Sequence, residues 1–275
     1  MCCFSRPIPF VGGTKIFGRV DGDRQWLAYS MDFAAREALA MVLPLPVPVG
    51  TPEDAVRFVD LSGYRTFFAD VERAFPVFLL PAAKGGPAFR GAIPARPTLK
   101  VHEVGDFVAS FVPTSGDFDR LDPRFRLAPA VVAALAAQRD YGFAVIQLAA
   151  TGTGWWRRLW RKVKSLAPVA LSFPTRDPGR VFFPTVHVHD GAVHAEAAFD
   201  HMLYWQGGPP EHDALVALGQ PMSASGPLGR TVDAARAQGL IDPDAPARRR
   251  VLVGRLPNRD HWIDLAPPTP VDAAA

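Results

Sequence analysis

Four of the chain's seven histidines fall within Phe182–Gln206, which reads FFPTVHVHDGAVHAEAAFDHMLYWQ. They are His187, His189, His194 and His201. Neutral imidazoles bind zinc, copper or iron, and three protein ligands leave a coordination position open for water or substrate. The stretch also carries Glu196 and Asp200, carboxylates that could add a ligand or act as a general base on a metal-bound water. A divalent transition metal, zinc, copper or iron, is therefore the cofactor these residues imply. The plainer alternative is a solvated polar sheet face on which histidine is tolerated.

The expected geometry follows from Asp190-Gly191, which lies between two β-prone runs. Asp-Gly accepts positive φ at both central positions of a two-residue type I′ hairpin. Such a turn sets His189 opposite Ala192, Val188 opposite Val193, and His187 opposite His194. Because side chains alternate along a strand, His187, His189, His194 and Glu196 would share one face. Val186, Val188, Val193 and Ala195 would share the other. Asp200 falls on the histidine face by parity, whereas His201 joins it only through a bulge.

Cys2 and Cys3 are the only cysteines, adjacent at the start. They are soft metal ligands that could join the histidines. Alternatively, Cys2 could be a nucleophile whose freed α-amine serves as base once Met1 is removed. They are otherwise small residues suited to burial. Vicinal cysteines seldom bridge each other because the ring is strained, and free thiols fit a reducing cytoplasm. The first 20 residues lack the pattern of a signal peptide, and no stretch is long and apolar enough to span a bilayer, so the expectation is cytoplasmic.

The elements that must position these groups read as mainly β. The hydrophobic fraction is 48%, the charged fraction 21% and the net charge +3, which implies no strongly basic surface and no nucleic-acid partner. The 28 prolines argue for short strands and shaped loops. Strands are expected over 15–20, 25–32, 38–45, 141–149, 168–173 and 251–254, with a strand pair over 99–113 turning near Gly105. Pro44, Pro46 and Pro48 place the third strand at an edge or a strand end. His102 and Glu103 lie in the pair as possible site partners or as plain surface residues. Helices are expected within 52–75, strongest over 66–74, and over 129–138, with a short one ending at Gly239. Residues 82–97 read as loop. Asp117–Arg126 alternates charge with Phe and Leu and reads as an ion-pair network rather than an anion site. Within 151–166, Trp155, Trp156, Leu159, Trp160 and Val163 fall on one side of a helix with Arg and Lys around the rest. That helix docks on the body or makes weak contact with an anionic membrane surface through Trp155–Leu166. The fold class is α+β, mainly β: antiparallel, sandwich-like sheets with a few peripheral helices. It forms one unit over 1–265, with possible halves at 1–125 and 126–265, and a disordered tail over 266–275.

Several stretches resemble a family of uncharacterised bacterial proteins. They are Met1–Ser5 with its cysteines, Met41–Pro48 with Val-Leu-Pro-Leu-Pro, Tyr141–Leu148, Phe173–Arg176 and the Phe-Phe-Pro-Thr-Val-His-Val-His-Asp-Gly segment within Phe182–Tyr204. The resemblance covers the chain thinly and implies no substrate. It marks the start of the chain and the hairpin as signature regions, with the Trp-rich helix as an insertion. The opening is also similar to that of N-terminal-nucleophile amidases of the choloylglycine hydrolase type, through Cys2 and Ile16-Phe17-Gly18-Arg19. That likeness implies Cys2 as nucleophile with Arg19 beside it. The family's Asn-Leu-Asp-Phe continuation is replaced by Val20-Asp21-Gly22-Asp23, and Pro7 and Pro9 interrupt the first strand. Three classes follow: a metal-dependent enzyme or metal-binding protein on His187, His189 and His194; an amidohydrolase on Cys2; and a non-catalytic β-rich binding module.

Overall fold

A computed structural model describes residues 2–75, 102–104, 107–134, 140–150, 163–208 and 222–265. The fold is α+β and mainly β. Among the described residues, sixteen strands run β1 Cys2–Phe4, β2 Phe10–Asp21, β3 Arg24–Ala34, β4 Leu39–Leu45, β5 Arg57–Val59, β6 His102–Val104, β7 Phe107–Val112 and β8 Gly142–Leu148, then β9 Lys164–Ser165, β10 Val169–Pro174, β11 Arg180–Phe183, β12 His187–Val188, β13 Glu196–Gln206, β14 Met222–Pro227, β15 Pro246–Pro257 and β16 His261–Asp264. Two α-helices among the described residues, α1 Phe67–Arg73 and α2 Pro129–Ala134, and several 3-10 turns lie outside the sheets. Among the described residues, no helix is long and apolar enough to cross a membrane.

The first sheet has the order β12-β1-β4-β8-β7-β6. The second runs β14-β15-β13-β2-β3-β10-β5, with β9 on the flank of β3, and β11 pairs with β16. Strands from before and after residue 125 interleave in both large sheets.

Parity builds the core. Met41, Leu43, Phe111, Ala144 and Ile146 of the first sheet pack with Ile16, Leu27, Tyr29, Leu171, Leu203 and Trp205 of the second in one shared cluster. The opposite face of the first sheet carries Cys3, Val42, Val145, Val186 and Val188, covered by Phe118, Leu121, Phe125 and Val131. The opposite face of the second carries Phe17, Ala28, Ala170 and Tyr204, covered by Tyr64, Phe67, Phe68 and Val71 and by Leu228, Val232 and Leu240. Phe67 is fully buried, and burying a side chain of that size contributes roughly 1.5–3 kcal/mol.

Of the two places expected for the prolines, a sheet edge or a strand end, β4 shows the strand end: it stops at Leu45, before Pro46 and Pro48. All seven of its residues are buried, and it runs between β1 and β8. Its proline is tolerated because β1 pairs with it only at Met41 and Val42, so Pro44 lies past the end of that ladder. The charged 117–126 segment forms the expected ion-pair network: Arg120 meets Glu53 and Asp117, and Arg124 meets Asp122. Three sequence readings fail. Residues 232–240 are turns, not a helix. Arg57–Val59, inside the stretch read as helical, is a strand, whereas the strand expected at 251–254 does lie within the twelve residues of β15. Lys164–Ser165 is a strand against Asp32 and Phe33, not the end of the Trp-rich helix. Residues 82–97, 151–162 and 266–275 lie outside the described residues.

Candidate functional site

The Asp-Gly turn does not make the expected hairpin. His187 and Val188 pair in parallel with Cys2 and Cys3, and Glu196 onward pairs with β15 and β2 instead. Gly191 has the positive φ expected of it, +87°. The Asp190 side chain, however, caps its own turn through the Ala192 N–H at 3.1 Å. The chain then leaves the first sheet and enters the second, so the two β-prone runs join different sheets.

That crossing rearranges the histidines. His194 stays in solvent, with its Nε2 2.8 Å from Asp190 Oδ2. Glu196 is exposed and accepts from Arg255 Nε at 2.9 Å. His187 faces inward, because its neighbours Val186 and Val188 occupy the outer cluster. His201 also faces inward, sharing parity with Phe199, Leu203 and Trp205 of the central core. No bulge in the β13–β15 ladder is required. His187 Nε2 lies 3.1 Å from His201 Nε2, and the pair joins the two sheets. His189 stacks on His187 with centroids 4.8 Å apart, and Phe199 stacks on it at 4.5 Å. The trio brought together is thus His187, His189 and His201, with His194 outside it.

The rings surround a cleft of about 170 Å³ whose walls include Thr14 and Asp200, room for a hydrated ion or a ligand of a few heavy atoms. A bulge in β2 between Gly12 and Lys15 delivers Thr14. Gly13 sits there at φ +60°, which glycine adopts without strain. Its N–H donates to Asp200 Oδ2 at 2.7 Å, tying β2 to β13. Asp200 Oδ1 lies 3.7 Å from His201 Nδ1.

The cleft keeps its imidazoles neutral. Burial, then the charge of His189, holds His187 down to about 3. Burial likewise holds His189 at about 4, against the opposing pull of Asp190. Burial pushes His201 well below the ordinary range, with His187 adding to it. In the neutral pair one Nε2–H donates to the other ring's lone pair. Thr14 Oγ1, His189 Nε2 and His201 Nδ1 are buried without a hydrogen-bond partner. Buried polar atoms are ordinarily satisfied, so three unmet atoms around one cleft are the chemistry left over for a ligand.

Cys3 is fully buried in the outer cluster, away from the cleft. The backbone of Cys2 stands in register with His187. Arg19 lies in the other sheet and donates to the carbonyls of Gly239 and Leu240. β6, which carries His102, forms the edge of the first sheet opposite β12.

Sequence reasoning missed Thr14, Phe199 and Asn258. Asn258 acts as a surrogate strand for β12: its Oδ1 accepts from His187 N at 2.7 Å and its Nδ2 donates to the carbonyls of His187 and His194. The Gly12-Gly13 pair before Thr14 was the one available signal of a bulge.

No protein-family profile matches the sequence, and no curated protein matches it. Among solved structures, a crystal structure of baculovirus P35 is similar over 94% of this chain and 97% of that one, at 9% identity and a TM-score of 0.45.

Proposed function

We propose that this is a metal-binding protein whose ion sits between His187 and His201, with the open end of the cleft available to water or substrate. The observation that carries the reading is the Nε2–Nε2 separation of 3.1 Å between two buried, neutral imidazoles. An ion about 2.1 Å from both nitrogens would subtend roughly 95°, and opening the pair by about 0.3 Å gives a tetrahedral angle. Lending both Nε2 lone pairs to an ion puts a proton on each Nδ1. On His201 that N–H lies 3.7 Å from Asp200 Oδ1, beyond a hydrogen bond, and the two must close up before the carboxylate can orient the ring. As the side chains stand, no three His, Cys, Asp or Glu groups converge on one point among the described residues. A further ligand falls to His189, stacked on His187. Such an ion would supply a Lewis acid or an activated water.

The test is metal content of protein purified without a histidine tag and reconstituted with zinc, copper or iron. Wild type is expected to retain one equivalent, with loss in His187→Ala and His201→Ala and no change in His194→Ala. No retained metal in wild type, or equal loss in all three variants, overturns the reading.

A further inference from the structure

β15 contains the run Arg248-Arg249-Arg250, and its members differ sharply. Arg248 donates to the carbonyls of Gly207 and Gly208, and Arg249 donates to Ser223 Oγ. Arg250 is 2% exposed. Its Nε is buried without a hydrogen-bond partner. A guanidinium stays charged at any ordinary pH, and a buried charge with no counterion is costly. The surroundings worsen matters. The charge of Arg259 bears on Arg250, and those of both bear on His261, which is held down to about 4 by burial first and then by the two arginines. Thr185 Oγ1 and His261 Nδ1 lie 2.6 Å apart beside them. Asp260, the carboxylate next along the chain, directs its Oδ1 at the N–H groups of Thr185 and Val186.

The register locates this positive spot. Leu203 pairs with Arg250 and His201 with Leu252, so Arg250 lies on the inner face as the diagonal neighbour of His201, about 7–8 Å away. Arg259 is exposed and His261 half-buried, so the two arginines reach from the core to the surface.

We propose that Arg250 is the floor of an oxyanion site, with Arg259 at its rim, that takes the carboxylate or phosphate group of a small ligand. The planar fork of a guanidinium matches two oxygens of either group. The proposal does not depend on a metal at His187 and His201, so each idea can fail alone.

The test is the melting temperature of the full-length protein at fixed ionic strength, with chloride exchanged for inorganic phosphate or for acetate. Because phosphate also stabilises proteins by exclusion, the Arg250→Met variant supplies the baseline. Wild type is expected to gain several degrees over that baseline in phosphate, in acetate, or in both. Arg250→Met is expected to melt higher than wild type in chloride, having lost a buried charge, and to show no specific gain. Arg259→Gln is expected to keep a reduced gain. A gain in both anions marks recognition of the shared oxygen pair; a gain in phosphate alone assigns the site to phosphoryl groups. Equal responses in wild type and Arg250→Met overturn the proposal. Should Arg250→Met not fold, Arg250→Lys keeps the charge and removes the fork. It is then expected to weaken calorimetrically measured anion binding about tenfold, and unchanged binding overturns the proposal.

Discussion

His187 and His194 lie seven residues apart in one stretch, yet they end in opposite environments. His187 is 7% exposed, wedged between His189, His201 and Phe199. His194 keeps a side-chain exposure of 60% and a surface contact with Asp190. What separates them is the sheet each segment joins. β12 adds to the first sheet beside β1, while the chain after the turn is claimed by β13, which has eleven residues paired with β15 and five with β2. A short local hairpin cannot compete with two long ladders. The lesson is that a histidine's chemistry is set by the sheet that takes in its strand, more than by its spacing from the next histidine.

Acid should expose this difference most strongly. The buried imidazoles have folded-state pKa values below the unfolded value of about 6.5, so the unfolded chain binds more protons. Stability is therefore complete above about pH 6.5, falls as pH drops toward 3–4, and levels off below. At pH 5 each of His187, His189 and His261, held near 3, 4 and 4, removes about 2 kcal/mol. That sum is comparable with the whole stability of an ordinary domain. Circular dichroism and tryptophan fluorescence should show unfolding between pH 6 and 4, and an unchanged melting temperature at pH 4 would contradict the buried-neutral assignment. Next in size is Asn258→Ala. It strips β12 of the side chain that stands in for a neighbouring strand and should cost about 1–3 kcal/mol by denaturant titration. A loss below about 0.5 kcal/mol would show that β1 alone holds His187 in place. Smallest is His194→Ala, expected within about 0.5 kcal/mol of wild type because exposed ion pairs contribute little. A larger loss would mean that the loop is part of the site after all.

Much of the scaffold was legible in the chain. The strands at 15–20, 25–32 and 38–45, the pair around 99–113, and those at 141–149 and 168–173 all correspond to strands or strand interiors. Each carries its own alternation, apolar run or turn residue, which are local signals. The site was legible by composition and not by geometry. The sequence grouped His187 and His189 with His194, and the structure sets His201 beside them and leaves His194 exposed. Choosing His201 over His194 required knowing that β13 lies parallel to β2, and nothing within ten residues of either histidine encodes that. Asn258 and Thr14 escaped for the same reason. Both act across distant segments, and an Asn or a Thr in a loop has no distinctive spacing.

The β2–β13 pairing also bears on how the molecule comes into being. Lys15 to Arg19 find their neighbours at Met202 to Gln206, among the most widely separated contacts the chain can make. Until that late segment is synthesised, one side of β2 offers bare hydrogen-bonding groups to anything nearby. Biogenesis should accordingly be slow, prone to self-association at the ribosome exit, and sensitive to truncation beyond residue 190.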